Sequence, residues 1–569
     1  MKKTGIESFL QMLVDAEVRY IFGNPGTTEL PLCDAMAPGG NYSERIQYIL
    51  GLHEVAVMGM ADGYAMARGD LGVVNLHISC GLGNAMGMLY NAHREGTPLL
   101  VTVGQQDRRL RFEEPILGSD MVRVARPWTK WAAEVERIED LPSAVRRAMQ
   151  QALTPPTGPV FLSIPLDIQL ERAELDLTPS PRLDTRVRPP VEALWQAADL
   201  LSAAENPAIL VGSRVTESDA IDELVAVAEH LGAPAISESG TTHGRLGFPA
   251  DHPLSVPGLP LWSPQVRERL KPYDVLLVVG MDVLRQYVYH EPSRPIPEHL
   301  QVIHFDHDAY QLGKNYPIRV GVWGDIKAGL SELATMLTER ATPHHEQLAA
   351  QRRQRLAEQQ AAMRKKLLDA AAAERDERPM TPLVLMESLA RVLPENVAVV
   401  EEAVTTTNTM FERLGVLKNP KGYFGTRGWA LGWGLGTAIG VQMAWPDRPV
   451  LAMLGDGAAM YGIQGLWSAA HYNIPVTFVI CNNAQYQILK IGAASMGLPQ
   501  AQAGNFLGLD TLQPEIDFVA LAESLGVRAS RVTEPEELSA LAAESLAGDE
   551  PRLIDVAITR ETPGRLNYG

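Results

Sequence analysis

The sequence predicts an α/β protein of three doubly wound parallel-sheet domains, and three observations carry that reading. A chain of 569 residues with 46% apolar content exceeds what one hydrophobic core ordinarily organises. Short apolar runs of strand length alternate with longer helical patterns, which is the signature of βαβ units and a parallel sheet. The alternation is interrupted twice. From Pro179 the stretch PSPRLDTRVRPP is rich in Pro and Arg and has little reason to fold alone. Gln347 to Glu377 is dense in Ala, Gln, Glu and Arg, a solvent-faced helix or linker. The expected units are 1–185, 190–340 and 378–569, with 341–377 as linker.

In the first unit, strands are expected at Tyr20 to Phe22, Val73 to His77, Leu99 to Val103 and Val160 to Pro165. Helices are expected at Gly5 to Ala16, His53 to Ala67 and Leu141 to Ala152. The opening MKKTGIESFLQMLVDAEV is read as a first helix, because Glu7 and Asp15 interrupt the apolar core a signal peptide needs. In the second unit the strands are Ala208 to Val211, Ala233 to Ile236, Val275 to Gly280 and Val302 to Phe305. It lacks a GxxxxGK[ST] loop and a convincing GxGxxG start, so a nicotinamide cofactor is not indicated, and no clear flavin signal stands out. The third unit has strands at Val397 to Val400, Val450 to Leu454, Val476 to Cys481 and Leu553 to Ile558. Glycines between 425 and 440 serve either a close-lying cofactor or a tight helix–helix contact. The first and third units look related, without a residue-level repeat.

The formal net charge of -18 argues against a nucleic-acid surface, which needs clustered Lys and Arg. No stretch of about 18 uncharged apolar residues is present, so no membrane span is expected. Cys33, Cys80 and Cys481 are far apart, with neither a disulfide framework nor zinc spacing, which suits a reducing cytoplasm.

The densest chemical signal is VLAMLGDGAAMYGIQGLWSAAHYNIPVTFVICNNAQYQILK. An apolar run ends at Gly455-Asp456-Gly457, a helical stretch from Ile463 to His471 follows, and a second apolar run ends at Asn482-Asn483. Both loops then lie at the carboxyl ends of parallel strands, where open α/β sheets bind ligands. One carboxylate, one amide oxygen and glycine-lined backbone suit Mg²⁺ holding a diphosphate. The plainer alternative is a tight turn followed by an Asn-rich loop. A second signal is Glu54 in YILGLHEVAVMGMADGYAMARG, a lone acid at the start of an apolar helix. It is either a first-turn capping acid or a buried acid with a partner.

The first block resembles the diphosphate motif of thiamine-diphosphate-dependent enzymes. With YIFGNPGTTELPLCDA, the Glu54 helix, VVNLHISCGLGNAMGMLYNAHREGTPLLVTVGQQ and PTGPVFLSIPLD, the chain resembles the decarboxylase/lyase family of these enzymes over nearly its whole length. Within it, the benzoylformate decarboxylases are most similar. The resemblance implies a pyruvate decarboxylase-like architecture, thiamine diphosphate and Mg²⁺. Asp456, Asn483 and the Gln485 carbonyl would hold the metal, with Gly455 and Gly457 beside the diphosphate. Glu54 would contact the aminopyrimidine ring, Leu431 would be the wedge that bends the cofactor, and the Trp429 carbonyl would accept the pyrimidine amine where the family branch has glycine.

His77 matches the family's first active-site histidine, ending a strand before a Gly-rich loop. Thr27 stands where the family has a serine that holds the substrate carboxylate, and Thr27 or Thr28 could instead cap a helix. The second family histidine is matched by Tyr287 without a gap, or by His290 with an insertion. Val404, Ile488 and Gly492 replace a threonine, an alanine and a phenylalanine of the family pocket. The implied reaction is non-oxidative decarboxylation of a benzoylformate-like 2-oxo acid. The alternative is a carboligase or lyase acting on 2-hydroxy ketones and aldehydes, including acetolactate synthase-like activity. A homodimer or homotetramer with the cofactor at the subunit interface is implied as well.

Overall fold

The computed structural model describes residues 2–238, 244–260, 263–284, 294–407 and 409–560. In the first unit, strands β1 (Tyr20–Asn24), β2 (Gln47–Leu50), β3 (Gly72–Leu76), β4 (Leu99–Gln105), β5 (Trp131–Glu134) and β6 (Val160–Pro165) form one parallel sheet in the order β2-β1-β3-β4-β6-β5. The second unit has β7 (Pro207–Val211), β8 (Ala235–Ser237), β9 (Ser255–Val256), β10 (Val275–Val279), β11 (Gln301–Asp306) and β12 (Val320–Trp323), ordered β9-β8-β7-β10-β11-β12. The third has β13 (Ala398–Glu402), β14 (Tyr423–Phe424), β15 (Val450–Gly455), β16 (Val476–Asn482), β17 (Arg528–Val532) and β18 (Arg552–Ala557), ordered β14-β13-β15-β16-β18-β17. The first and third sheets thus share one permutation of parallel strands, so the expected kinship of these units is topological. The central strands are buried along their length, as parallel sheets covered on both faces require.

The second sheet reverses strand order between β7 and β10, the place where such sheets open a crevice. Arg214, just beyond β7, spans it with ion pairs to Asp306 at 2.7 Å and Asp282 at 2.9 Å. Residues 343–374 form one 32-residue helix that buries only Ala349, Leu356, Gln360 and Ala371. The helix form of that stretch therefore holds, because its few apolar side chains seat it on the neighbouring units. Among the described residues no helix is long and apolar enough to cross a membrane.

The Glu54 helix (Glu54–Arg68) packs on the helix Trp433–Ala444, which ties the first unit to the third. A Cβ on Gly63 would lie 2.2 Å from the Thr437 carbonyl oxygen, and one on Gly440 would lie 1.9 Å from that of Met60. The helix-contact reading of the glycine run is met at Gly436 and Gly440. The expected Gly-rich loop after His77 is a correction. The helix Ile78–Glu95 begins directly after His77 and takes Gly81, Gly83 and Gly87 into its turns. Gly81 is small because a Cβ there would press on Glu54 Oε1 at 3.3 Å.

Candidate active site

β15 and β16 are adjacent, with Gly455 opposite Cys481, so the loops that follow them meet. The Asp456 carboxylate is buried and faces the backbone N–H groups of Gly457, Ala484 and Gln485, the last two of which donate to Asn482 Oδ1 and Asn483 Oδ1. Burial pushes its pKa up to about 6, partly countered by those donors. Asn483 Oδ1 accepts from the Gln485 N–H at 3.3 Å, and its Nδ2 donates to Gln487 Oε1 at 3.0 Å. The Gln485 side chain is already engaged: it accepts from Lys490 at 2.8 Å and donates to the Arg560 carbonyl at 2.9 Å. Arg560 in turn donates to the carbonyls of Asn483 and Ala484. Among the described residues no Lys, Arg or His pairs with Asp456. A buried carboxylate without a countercharge, beside an amide oxygen, fits a hard divalent cation. No trio of His, Cys, Asp or Glu among the described residues is grouped to hold a metal. The set at this site differs in kind, with a single carboxylate joined by an amide oxygen and a backbone carbonyl. Gly457 is required locally, since a Cβ would lie 2.6 Å from the Tyr486 ring.

The segment before the helix Trp433–Ala444 carries Trp429 and Leu431, each about one-third exposed. Glu402, at the end of β13, accepts from the N–H groups of Gly432, Trp433 and Gly434 at 2.9, 3.0 and 2.9 Å. Burial pushes the Glu402 carboxyl up to about 7 against those three donors.

In the first unit, Glu54 opens its helix but does not cap it. His53 is the N-cap, and its ring accepts from the Val55 N–H. The buried Glu54 carboxylate instead accepts from Asn24 Nδ2 at 3.2 Å and Asn84 Nδ2 at 3.0 Å. His77 Nδ1 lies 2.8 Å from Glu29 Oε2. A carboxylate only accepts, so Nδ1 carries the proton and Nε2 is left to face outward chemistry. Glu29 is itself buried and accepts from Gly26 N, Thr28 Oγ1 and Gly104 N at 3.0, 2.7 and 2.8 Å. The helix-capping alternative for Thr27 and Thr28 fails. Gly26 holds the N-cap position, neither threonine caps, and the Glu29 carboxylate takes the Gly26 N–H. Thr27 is left exposed beside this cluster.

The structure therefore gathers Thr27, Glu54 and His77 at one sheet edge and Asp456, Asn483 and Gln485 at another. Among the described residues no hydrogen bond joins Glu54 or His77 to the Asp456 loops. Val404 begins the short helix Val404–Thr407, which packs on the helix Gln487–Ser495 bearing Ile488 and Gly492. A Cβ on Gly492 would meet no atom within 4 Å. Tyr287 and His290 lie outside the described residues. Sequence reasoning missed Glu29, Asn24, Asn84 and Glu402 as partners. Glu29 stood in the GNPGTTE run, and an acid directly after two hydroxyl residues was its available signal. The partnership with His77 spans 48 residues and leaves no local pattern.

Three domain families match the chain: "Thiamine pyrophosphate enzyme, N-terminal TPP binding domain" over 3–118, "central domain" over 194–333, and "C-terminal TPP binding domain" over 404–556. Benzoylformate decarboxylase of Pseudomonas aeruginosa is 34% identical over 542 residues, covering 94% of this chain and 95% of that protein. A probable acetolactate synthase large subunit of Methanocaldococcus jannaschii is 28% identical, covering 97% and 92%. The solved structure of Rhodococcus jostii RHA1 thiamine diphosphate-dependent 4-hydroxybenzoylformate decarboxylase superposes with a TM-score of 0.84 at 31% identity, covering 98% of this chain and 100% of that one. With paired thiamine-binding units of one topology and a buried acid at each sheet edge, the chain belongs to the thiamine-diphosphate-dependent decarboxylase/lyase family, as an enzyme that processes 2-oxo acids.

Proposed function

We propose that this enzyme decarboxylates a benzoylformate-like 2-oxo acid without oxidation, releasing an aldehyde and carbon dioxide. Mg²⁺ would tie the cofactor diphosphate to Asp456, Asn483 and the Gln485 carbonyl. The observation that carries the reading is the Glu29–His77 pair beside buried Glu54, two proton-handling groups at one sheet edge. When bound, thiamine diphosphate supplies a nucleophilic carbon and a sink for the electrons that departing carbon dioxide leaves.

The chain's own residues position and protonate. Glu54, with both oxygens oriented by Asn24 and Asn84, holds the hydrogen bond to the aminopyrimidine ring. His77 keeps its Nδ1 proton on Glu29 and exchanges a proton with the substrate through Nε2. Thr27 donates to the substrate carboxylate. Val404 and Ile488 exclude water around the substrate side chain, and the open space at Gly492 admits a longer one. Tyr287 or His290 remains the proposed partner for the second family histidine.

The cofactor is proposed to sit between subunits of a homodimer or a pair of dimers. Two features support this: the separate Glu54 and Asp456 clusters within one chain, and the exposed apolar Phe112, Ile116, Trp429 and Leu431. Free thiols at all three cysteines suit a reducing cytoplasm.

A panel of aryl and alkyl 2-oxo acids, with and without aldehydes, tests the reaction by product identification. Aldehyde and carbon dioxide in equal amounts are expected. Carboligation or acyloin cleavage is the second reading, favoured by the room at Gly492 for an acceptor. Acyloin chemistry with no carbon dioxide from any acid would replace the first reading with the second. Calorimetry on Asp456→Ala tests the metal site, with most thiamine diphosphate affinity expected to disappear.

A further inference from the structure

The segment that bears Trp429 and Leu431 is gripped from two sides. Asn91 lies fully buried near the end of the helix Ile78–Glu95. Its Oδ1 accepts from the Ala430 N–H at 3.0 Å, and its Nδ2 donates to the Ala430 carbonyl at 2.8 Å. The side chain thus pairs with a backbone residue as a neighbouring strand would. Gly428 is glycine to allow this, since a Cβ there would lie 2.2 Å from Asn91 Oδ1. On the far side Glu402 holds three consecutive N–H groups from Gly432 to Gly434. Arg427 is anchored to Glu95 through a side-chain bond at 3.1 Å.

Between these grips Trp429 adopts φ +63°. A left-handed conformation disfavours a bulky L side chain and persists only where the surroundings over-determine it. Ala430, the residue Asn91 holds, lies directly between Trp429 and Leu431. The held N–H belongs to the peptide unit shared with Trp429 and the held carbonyl to the one shared with Leu431, so the clamp constrains the backbone on both sides.

We propose that Asn91 is a positioning residue for the cofactor. By clamping Ala430 it holds strained Trp429 in the left-handed conformation, so that Trp429 and Leu431 are presented to the aminopyrimidine end together. This rests on the reading that the 429–431 segment carries cofactor contacts. It adds a residue of the first unit that acts on the third unit of the same chain.

The test measures thiamine diphosphate affinity by calorimetry in Mg²⁺ on the full-length protein. Asn91→Ala should weaken binding by about five- to thirty-fold, the range a left-handed residue released from its clamp would give. Glycine accepts positive φ without penalty. The double variant Asn91→Ala/Trp429→Gly should therefore bind within about threefold of Trp429→Gly alone, a rescue that a merely structural role for Asn91 would not produce. If Asn91→Ala does not fold, Gly428→Ala puts a Cβ 2.2 Å from Asn91 Oδ1 and 2.8 Å from its Cα, which displaces Asn91 from Ala430 without removing it and should show the same loss. Wild-type affinity in Asn91→Ala, or in Gly428→Ala where that variant is used, would overturn the proposal, as would an undiminished Asn91→Ala defect on the Trp429→Gly background. Failure of the wild-type protein to bind thiamine diphosphate at all would overturn the functional reading instead.

Discussion

Replacing Glu29 by Gln tests whether His77 works through its buried partner. The substitution keeps the volume of the side chain. Its amide oxygen can take the place of Oε1 and still accept from Thr28 Oγ1 and the Gly104 N–H. Its NH₂ then replaces Oε2, which in the native protein accepts from the Gly26 N–H at 3.0 Å and from His77 Nδ1 at 2.8 Å. The amide would donate to Nδ1, so the imidazole must switch tautomer and carry its proton on Nε2. A hydrogen bond to a charged group is worth about 1.5–3 kcal/mol. If it is lost only as His77 takes up a proton along the reaction path, kcat should fall about 10- to 150-fold. Thiamine diphosphate affinity should hold, because neither Glu54 nor the Asp456 loops are touched. The Gly26 N–H left facing NH₂ should also lower stability, so a control is needed. Thr28→Val removes a bond to the same carboxylate and a long 3.5 Å contact to His77 Nδ1, but leaves the 2.8 Å His77–Glu29 contact. It should lower the melting temperature with little change in kcat. Steady-state kinetics and calorimetry on both variants decide the matter. A kcat for Glu29→Gln within threefold of wild type, or equal kcat losses in the two variants, would refute the argument.

Three further outcomes follow from the packing and charge placement. Burial pushes Asp62 up to about 7, against a hydrogen bond from Trp433 Nε1. A raised carboxyl pKa favours the folded state below the unfolded value near 3.8, and that advantage is lost as pH rises through 7. Asp62→Asn should therefore flatten the fall in melting temperature between pH 4 and 7, and an unchanged slope would contradict the assignment. Gly63→Ala forces a Cβ to within 2.2 Å of the Thr437 carbonyl. It should destabilise by at least about 1–3 kcal/mol, read by denaturant unfolding, whereas Gly492→Ala, inside the helix Gln487–Ser495 with no atom within 4 Å, should stabilise by about 0.5–1 kcal/mol. Gly492→Phe should leave the melting temperature unchanged while shifting kcat/KM toward shorter 2-oxo acids, by about tenfold for a pocket contact of this kind. An unchanged selectivity would place Gly492 outside the pocket.

What could be read in the sequence depended on how local each feature is. Central strands such as Val450–Gly455 and Val476–Asn482 are buried throughout and stood out as apolar runs. The edge strands Gln47–Leu50, Trp131–Glu134 and Arg528–Val532 each bury at most one side chain fully, show no clean period, and were missed. Asp456 and Asn483 were legible because two consecutive strands of one βαβ unit bring them together, so chain order predicts their proximity. The groups that orient the site are not of this kind. Asn91 reaches Ala430 across 339 residues and Trp433 reaches Asp62 across 371. In both cases a side chain meets a distant group only once two sheets have docked through the Gly63–Gly440 crossing. A short motif can identify a cofactor class because it encodes one loop, but the strain and tautomer that set reactivity reside in contacts between loops. Trp429 illustrates the consequence. Its left-handed backbone is proposed to depend on the Asn91 carboxamide, and no window of sequence around residue 429 contains that information.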